Sequence, residues 1–147
     1  MCQPAEEGVT IRLAAASDAA ELARLIEAFD HVKVTPEQVA RRLVAIQGVE
    51  TVVLAETSGR VVGFASLRIV PSLTDEGLYA ELTELYVEAA QRRRGIGRAL
   101  MARVEALARG QGATRLVLLT GLRNAAAQAF YRAVGYADYA LAMRKRL

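Results

Sequence analysis

The chain has 147 residues, 53% of them hydrophobic and 24% charged, with 11 Gly, 3 Pro and one Cys. A chain this long buries about 70% of its unfolded surface on folding, so a core forms without disulfides or metal, and disordered, collagen-like and disulfide-rich classes are excluded. Its 19 basic residues exceed its 16 acidic ones by a net +3, and all but Lys33 and Lys145 are arginine, the better residue for gripping phosphate in a bidentate fork.

The first eight residues are acidic and lack an apolar signal core, Cys2 has no partner in the chain, and no apolar run approaches the roughly 18 residues of a membrane span. A cytoplasmic protein is expected, built as one domain over 1–147 with a flexible leader at 1–7.

Val9, Ile11 and Leu13 alternate with polar neighbours, the mark of a half-buried strand. A helix follows, with Ser17 as its expected cap and Leu22, Leu25, Ile26 and Phe29 as one apolar stripe. A second helix starts at Thr35, where Pro36 suits the first turn, Gln38 completes a capping box, and Val39, Leu43 and Ile46 face inward. His31, the only histidine, falls in the turn between them and offers neither a triad nor a metal site.

Strands are predicted over 51–56 and 60–70, joined as an antiparallel hairpin by a turn at Ser58 and Gly59. Another spans 78–88. An amphipathic helix then covers 98–109, with Gly110 and Gly112 ending it. The apolar run 116–120 reads as a strand buried on both faces, 124–134 as a fourth helix and 139–144 as a final strand. A later strand-helix-strand unit needs a crossover and the earlier hairpin does not, so a mixed central sheet with helices on both faces follows.

At the end of the strand over 78–88 the sequence runs Gln91-Arg92-Arg93-Arg94-Gly95-Ile96-Gly97-Arg98. The first turn of a helix leaves backbone N–H groups unpaired, and with the helix dipole they form a site for phosphate. Gly95 and Gly97 keep that backbone open to a ligand, while Arg92, Arg93, Arg94 and Arg98 bring mobile charge. The dinucleotide pattern fails at Leu100, and no Gly-Lys-Ser/Thr is present for a phosphate loop of the Walker type. Taken alone, the Gly-x-Gly turn is also compatible with an incidental tight turn.

A second constellation lies in the fourth helix. At 100° per residue Asn124, Gln128 and Tyr131 share one face, with Ala126, Ala129, Phe130 and Ala133 opposite. Phe130 is the expected core aromatic. Tyr131 then stands beside two amides, as a working phenol or as an amphipathic ring covering the edge of the domain.

These two segments together resemble the GNAT superfamily of N-acetyltransferases. Arg92-Arg93-Arg94-Gly95-Ile96-Gly97 matches its Q/R-x-x-G-x-G/A acyl-CoA signature, and Asn124 to Tyr136 matches its Asn...Phe-Tyr-x-x-x-Gly-Phe/Tyr segment. The resemblance implies an α/β (α+β) fold with a central mixed, mostly antiparallel sheet of about six to seven strands. It implies acetyl-CoA as cosubstrate, with no metal. The backbone and side chains of 92–98 would hold the pyrophosphate, and Leu85, Tyr86 and Val87 would run along the pantetheine arm. Asn124 would bond that arm and Tyr131 would protonate the departing thiolate, a reasonable task for a phenol within reach of the sulfur.

The acceptor is then an amine, of which only about one molecule in a few thousand is uncharged at pH 7, so a base is needed. Glu84 is the first candidate and Glu81 the second, since strand alternation points the two to opposite faces. From Val70 to Gln91 there are five acids and no Lys or Arg, a charge step expected to draw a cationic acceptor to one side. The segments 29–35 and 71–77 are expected to shape its pocket. An acyltransferase acting on an amine is the favoured reading, and a non-catalytic acyl-CoA-binding or partner-binding module of the same fold is the alternative. Neither nucleic acid nor a membrane is an expected partner; a homodimer would cover exposed strand edges.

Overall fold

A computed structural model describes residues 8–147; the leader at 1–7, with Cys2, lies outside the described residues. The chain forms β1 (Val9–Leu13), α1 (Ala19–Asp30), α2 (Pro36–Ala45), β2 (Glu50–Thr57), β3 (Arg60–Pro71), β4 (Leu78–Val87), α3 (Ile96–Gly110), β5 (Ala113–Leu118) and α4 (Ala125–Ala133). It divides into two compact units, one ending at Val117 and the other running from Leu118 to Leu147. Among the described residues no helix is long and apolar enough to cross a membrane.

The sheet has the order β1-β2-β3-β4-β5, with β1 to β4 joined by antiparallel pairings. On one face, α1 and α2 bury Leu22, Leu25 and Val39 against Leu54, Val61 and Phe64 of β2 and β3, with Phe29 and Tyr86 packed at the margin. Periodicity selects these positions, because the stripe on α1 and the alternation on the strands aim the same residues inward. The opposite layer is α3, whose Ile96, Leu100, Met101 and Val104 are buried with Val53, Ala65 and Leu67. Gly63 sits where β3 and α3 approach closely: a Cβ there would lie 2.9 Å from the Tyr86 carbonyl oxygen and 3.3 Å from Leu100 Cδ1.

The capping box of α2 forms as expected, Thr35 Oγ1 accepting from the Gln38 N–H at 3.1 Å and Gln38 Oε1 from the Thr35 N–H at 2.9 Å. At α1 the expected cap is replaced. Ser17 lies in a 3-10 turn over Ala16–Asp18, and the Asp18 carboxylate accepts from the Ala15 N–H at 2.7 Å and from both Arg12 terminal nitrogens at 2.8 and 2.9 Å. Arg12 is thereby committed to the first turn and, through Nε, to Glu56 at 2.9 Å.

Three further expectations are corrected. Residues 139–144 form no strand, so the sheet has five strands where six to seven were implied. Tyr139, Leu141 and Met143 do alternate, yet each is about four-fifths exposed or more; alternation marks a face but supplies no pairing edge. The strand expected over 116–120 is 113–118, the last strand in the order of the sheet, and its Thr114 and Arg115 are exposed where burial on both faces was expected. Leu13, expected inside, is 50% exposed at the open edge β1.

Arg12 holds the Asp18 carboxyl below its ordinary pKa, with the Ala15 N–H acting the same way and burial opposing. A depressed acid stabilises the fold above its ordinary pKa and loses that contribution as the pH falls through the folded value. Asp18→Asn should therefore cost about 1–3 kcal/mol at pH 7 and clearly less at pH 3. Urea unfolding at both pH values checks this; an equal cost at both would contradict it.

Candidate functional site

The pairing of β3 with β4 is irregular at one point. Ser66 stands opposite Glu84 and Leu67 opposite Leu82, so Thr83 is an extra residue, a bulge in β4. This overturns the expectation that Glu81 and Glu84 point to opposite faces. Glu81 is opposite Arg68 and Glu84 opposite Ser66; positions 66 and 68 share a face, and so do the two glutamates.

Their surroundings differ. Glu81 is bound by Arg68 at 2.6 Å. Among the described residues no ion pair to Glu84 is found. Its side chain reaches solvent, yet partial burial of its carboxyl raises the pKa above the ordinary value, and the negative charges of Asp30 and Glu50 add to that rise. Glu50, at the start of β2, accepts from Ser66 Oγ at 2.6 Å and from Thr83 Oγ1 at 3.1 Å. Sequence reasoning passed over Glu50, because only the strand register brings it to Ser66.

The end of β4 is firmly held. Glu88 binds Arg24 of α1 at 2.7 Å and Arg60 of β3 at 2.6 Å, and Arg24 also donates to the Val61 carbonyl. The Tyr86 ring lies 5.3 Å from Phe29 and 6.3 Å from Phe64, so its side chain faces α1. Arg92 folds back on this end, with its guanidinium 5.6 Å above the Tyr86 ring and Nε donating to the Val87 carbonyl at 3.0 Å. Of the four arginines expected at the anion site, Arg92 thus also anchors the loop, and Arg94 donates to Gln91 at 2.7 Å.

α3 starts at Ile96, two residues before the expected 98, and runs through Gly110, which was expected to stop it. Gly95 precedes it at φ 77°, and no side chain caps the helix. The first intrahelical bond runs from the Ala99 N–H to the Gly95 carbonyl, so the N–H groups of Ile96, Gly97 and Arg98 come before it. Nothing lies within 4 Å of the Cβ position at Gly95, while Arg93 and Arg98 are exposed at the same helix end. Open donors, open space and arginines fit a pyrophosphate.

The acidic run is less charged than it reads. Asp75 pairs with Arg115, Glu81 with Arg68 and Glu88 with Arg24 and Arg60. The expected charge step is therefore largely neutralised by arginines from elsewhere in the chain, leaving Glu76 and Glu84. Asp75 and Glu76, with Tyr79 and Arg115, line a cavity of about 150 Å³ between the β3–β4 loop and β5.

In the unit from Leu118 onward, Asn124 Oδ1 caps α4 by accepting from the Ala127 N–H at 3.1 Å. Gln128 Nε2 donates to the carbonyls of Gly121 and Leu122. Both amides therefore shape the entry to the helix. Tyr131 is half-buried between Phe130 and Tyr136, with ring centroids 5.3 and 6.1 Å away. The face expected to be buried is corrected: Ala126, Ala129 and Ala133 are exposed and Phe130 is only partly covered, since this unit supplies no apolar layer for that side of the helix.

Residues 19–136 match the profile of the acetyltransferase (GNAT) family. The chain is 39% identical over 85 residues to an IAA acetyltransferase of Azospirillum brasilense, a match that takes in 58% of this chain and 53% of that one. It is 37% identical over 84 residues to an aminoglycoside N(6')-acetyltransferase type 1 of Klebsiella aerogenes, covering 56% and 55%. The chain spans about half the length of these relatives. A solved ribosomal-protein-alanine N-acetyltransferase of Brucella melitensis shares the fold at a TM-score of 0.83 and 20% identity, over 96% of this chain and 100% of that one.

Gly95→Ala places a side chain on a left-handed residue and should cost about 1–2 kcal/mol of stability, whereas Gly110→Ala, inside α3, should be neutral or stabilising. Chemical denaturation of the two variants measures the difference; equal effects would contradict the conformational role of Gly95.

Proposed function

Because this chain belongs to the acetyltransferase (GNAT) family, we propose that it transfers an acetyl group from acetyl-CoA to a primary amine by direct attack on the thioester. The observation that carries the proposal is the junction of β4 with α3, where a carboxylate of raised proton affinity and an uncapped, arginine-rich helix start stand on consecutive elements. Bound acetyl-CoA supplies an acyl carbon open to attack. The N–H groups of Ile96, Gly97 and Arg98, with Arg92, Arg93, Arg94 and Arg98, hold the pyrophosphate, and the backbone of 85–87 and Asn124 align the pantetheine.

Glu84 takes the proton from the ammonium of the acceptor. The amine nitrogen then bonds to the acyl carbon, the carbon–sulfur bond breaks, Tyr131 gives its proton to the departing sulfur, and the nitrogen loses its second proton to solvent to leave the neutral amide. Tyr131 regains a proton from solvent and Glu84 releases the one it took. Glu81, tied to Arg68, is the less suitable base. The relatives' names point to different acceptors, so the proposal names a primary amine and no particular molecule. The single cysteine supports a reducing compartment, the cytoplasm.

Tyr131→Phe should lower kcat about 10²-fold or more while acetyl-CoA still binds, as measured by thiol release beside calorimetric titration. Unimpaired transfer would remove the acid assignment. The raised pKa of Glu84 places the acid limb of kcat/KM above the ordinary carboxylate range, since the base works only when ionised. A pH–rate profile checks this, and Glu84→Gln should abolish the limb.

A further inference from the structure

We propose that Glu50 is a positioning residue for Glu84: its carboxylate, held by the hydroxyls of Ser66 and Thr83, pins the β4 bulge and fixes a negative charge on the sheet face that carries Glu84. The proposal rests on the reading of Glu84 as the base.

The geometry is specific. One oxygen, Glu50 Oε2, accepts from residues on two different strands, Ser66 of β3 and Thr83 of β4. Ser66 is 4% exposed and is the register partner of Glu84, and Thr83 is the residue that the bulge inserts. Thr83 Oγ1 also lies 3.3 Å from the Ser66 carbonyl oxygen, so the hydroxyl sits at the centre of the irregularity. A bulge left unpinned can slide along a strand, and a slip of one residue turns every later side chain over. Held by Glu50, the bulge keeps Glu84 on the face that packs toward α1.

The charges around Glu84 make the effect readable. Asp30, at the end of α1, and Glu50, on β2, both favour its protonated form. Of the cations on this face, Arg68 of β3 stands opposite Glu50 in the register but is committed to Glu81 by a 2.6 Å bond, and Arg12 of β1 is held by Asp18 and Glu56. Removing the charge at Glu50 therefore leaves Asp30 as the remaining acid acting on Glu84.

Glutamate carboxyl titration by carbon NMR on the full chain, without substrate, tests this and needs no knowledge of the acceptor. Glu50→Gln keeps an oxygen for the two hydroxyls and removes only the charge, so the Glu84 midpoint should move to lower pH. Glu105→Gln, on α3, should leave it in place. Thr83→Val should lower kcat about tenfold or more through misplacement of the base, with KM for acetyl-CoA unchanged and with recovery in Thr83→Ser. An unmoved Glu84 midpoint in Glu50→Gln, with Glu84→Gln inactive, overturns the role of Glu50 alone. Full activity in Glu84→Gln overturns the base assignment and the role of Glu50 with it.

Discussion

One extra residue in β4 decides which face of the sheet its glutamates share. Alternation along a regular strand would separate Glu81 from Glu84; the insertion of Thr83 puts both on the face covered by α1 and α2. The pairing on either side remains regular, so the bulge is a local feature of a well-ordered strand. Its consequence is that two carboxylates share a face but meet different neighbours. Arg68 neutralises one, while partial burial and two other acids leave the second with a raised proton affinity. Environments that drive two acids apart are how a protein assigns one to structure and one to chemistry.

The same strand leads, at its C-terminal end, to the helix start proposed to hold the pyrophosphate. Glu88 ties β4 to α1 and β3 through Arg24 and Arg60, and Arg92 caps the strand by taking the Val87 carbonyl. From that anchored point the chain turns through Arg93 and Gly95, both at positive φ, into α3. The helix start is therefore fixed relative to the strand end, and its unpaired N–H groups need no side-chain cap if an anion fills that role. Rigid elements on both sides of a short loop are what the proposed anion site requires.

Most of the layered fold was legible because its signals are local. The stripe on α1, the capping box at Thr35 and the Gly-x-Gly turn before α3 all appear where residue spacing places them. What escaped depends on pairing. Glu50 is unremarkable in sequence and becomes meaningful only through its bonds to Ser66 and Thr83. The acidic run looked like a field, but cross-strand and long-range arginines cancel three of its five charges. At the C-terminal end, the alternation of Tyr139, Leu141 and Met143 suggested a strand for which that segment offers no partner.

The central claim is that this GNAT chain is a working acetyltransferase rather than a binding module, and thiol release from acetyl-CoA over a panel of primary amines tests it most directly. The account predicts amine-dependent release matched by N-acetylated product in mass spectrometry, with a rate that rises through an acid limb above the ordinary carboxylate range. Saturable acetyl-CoA binding with no release above the uncatalysed rate for any amine in the panel would contradict it.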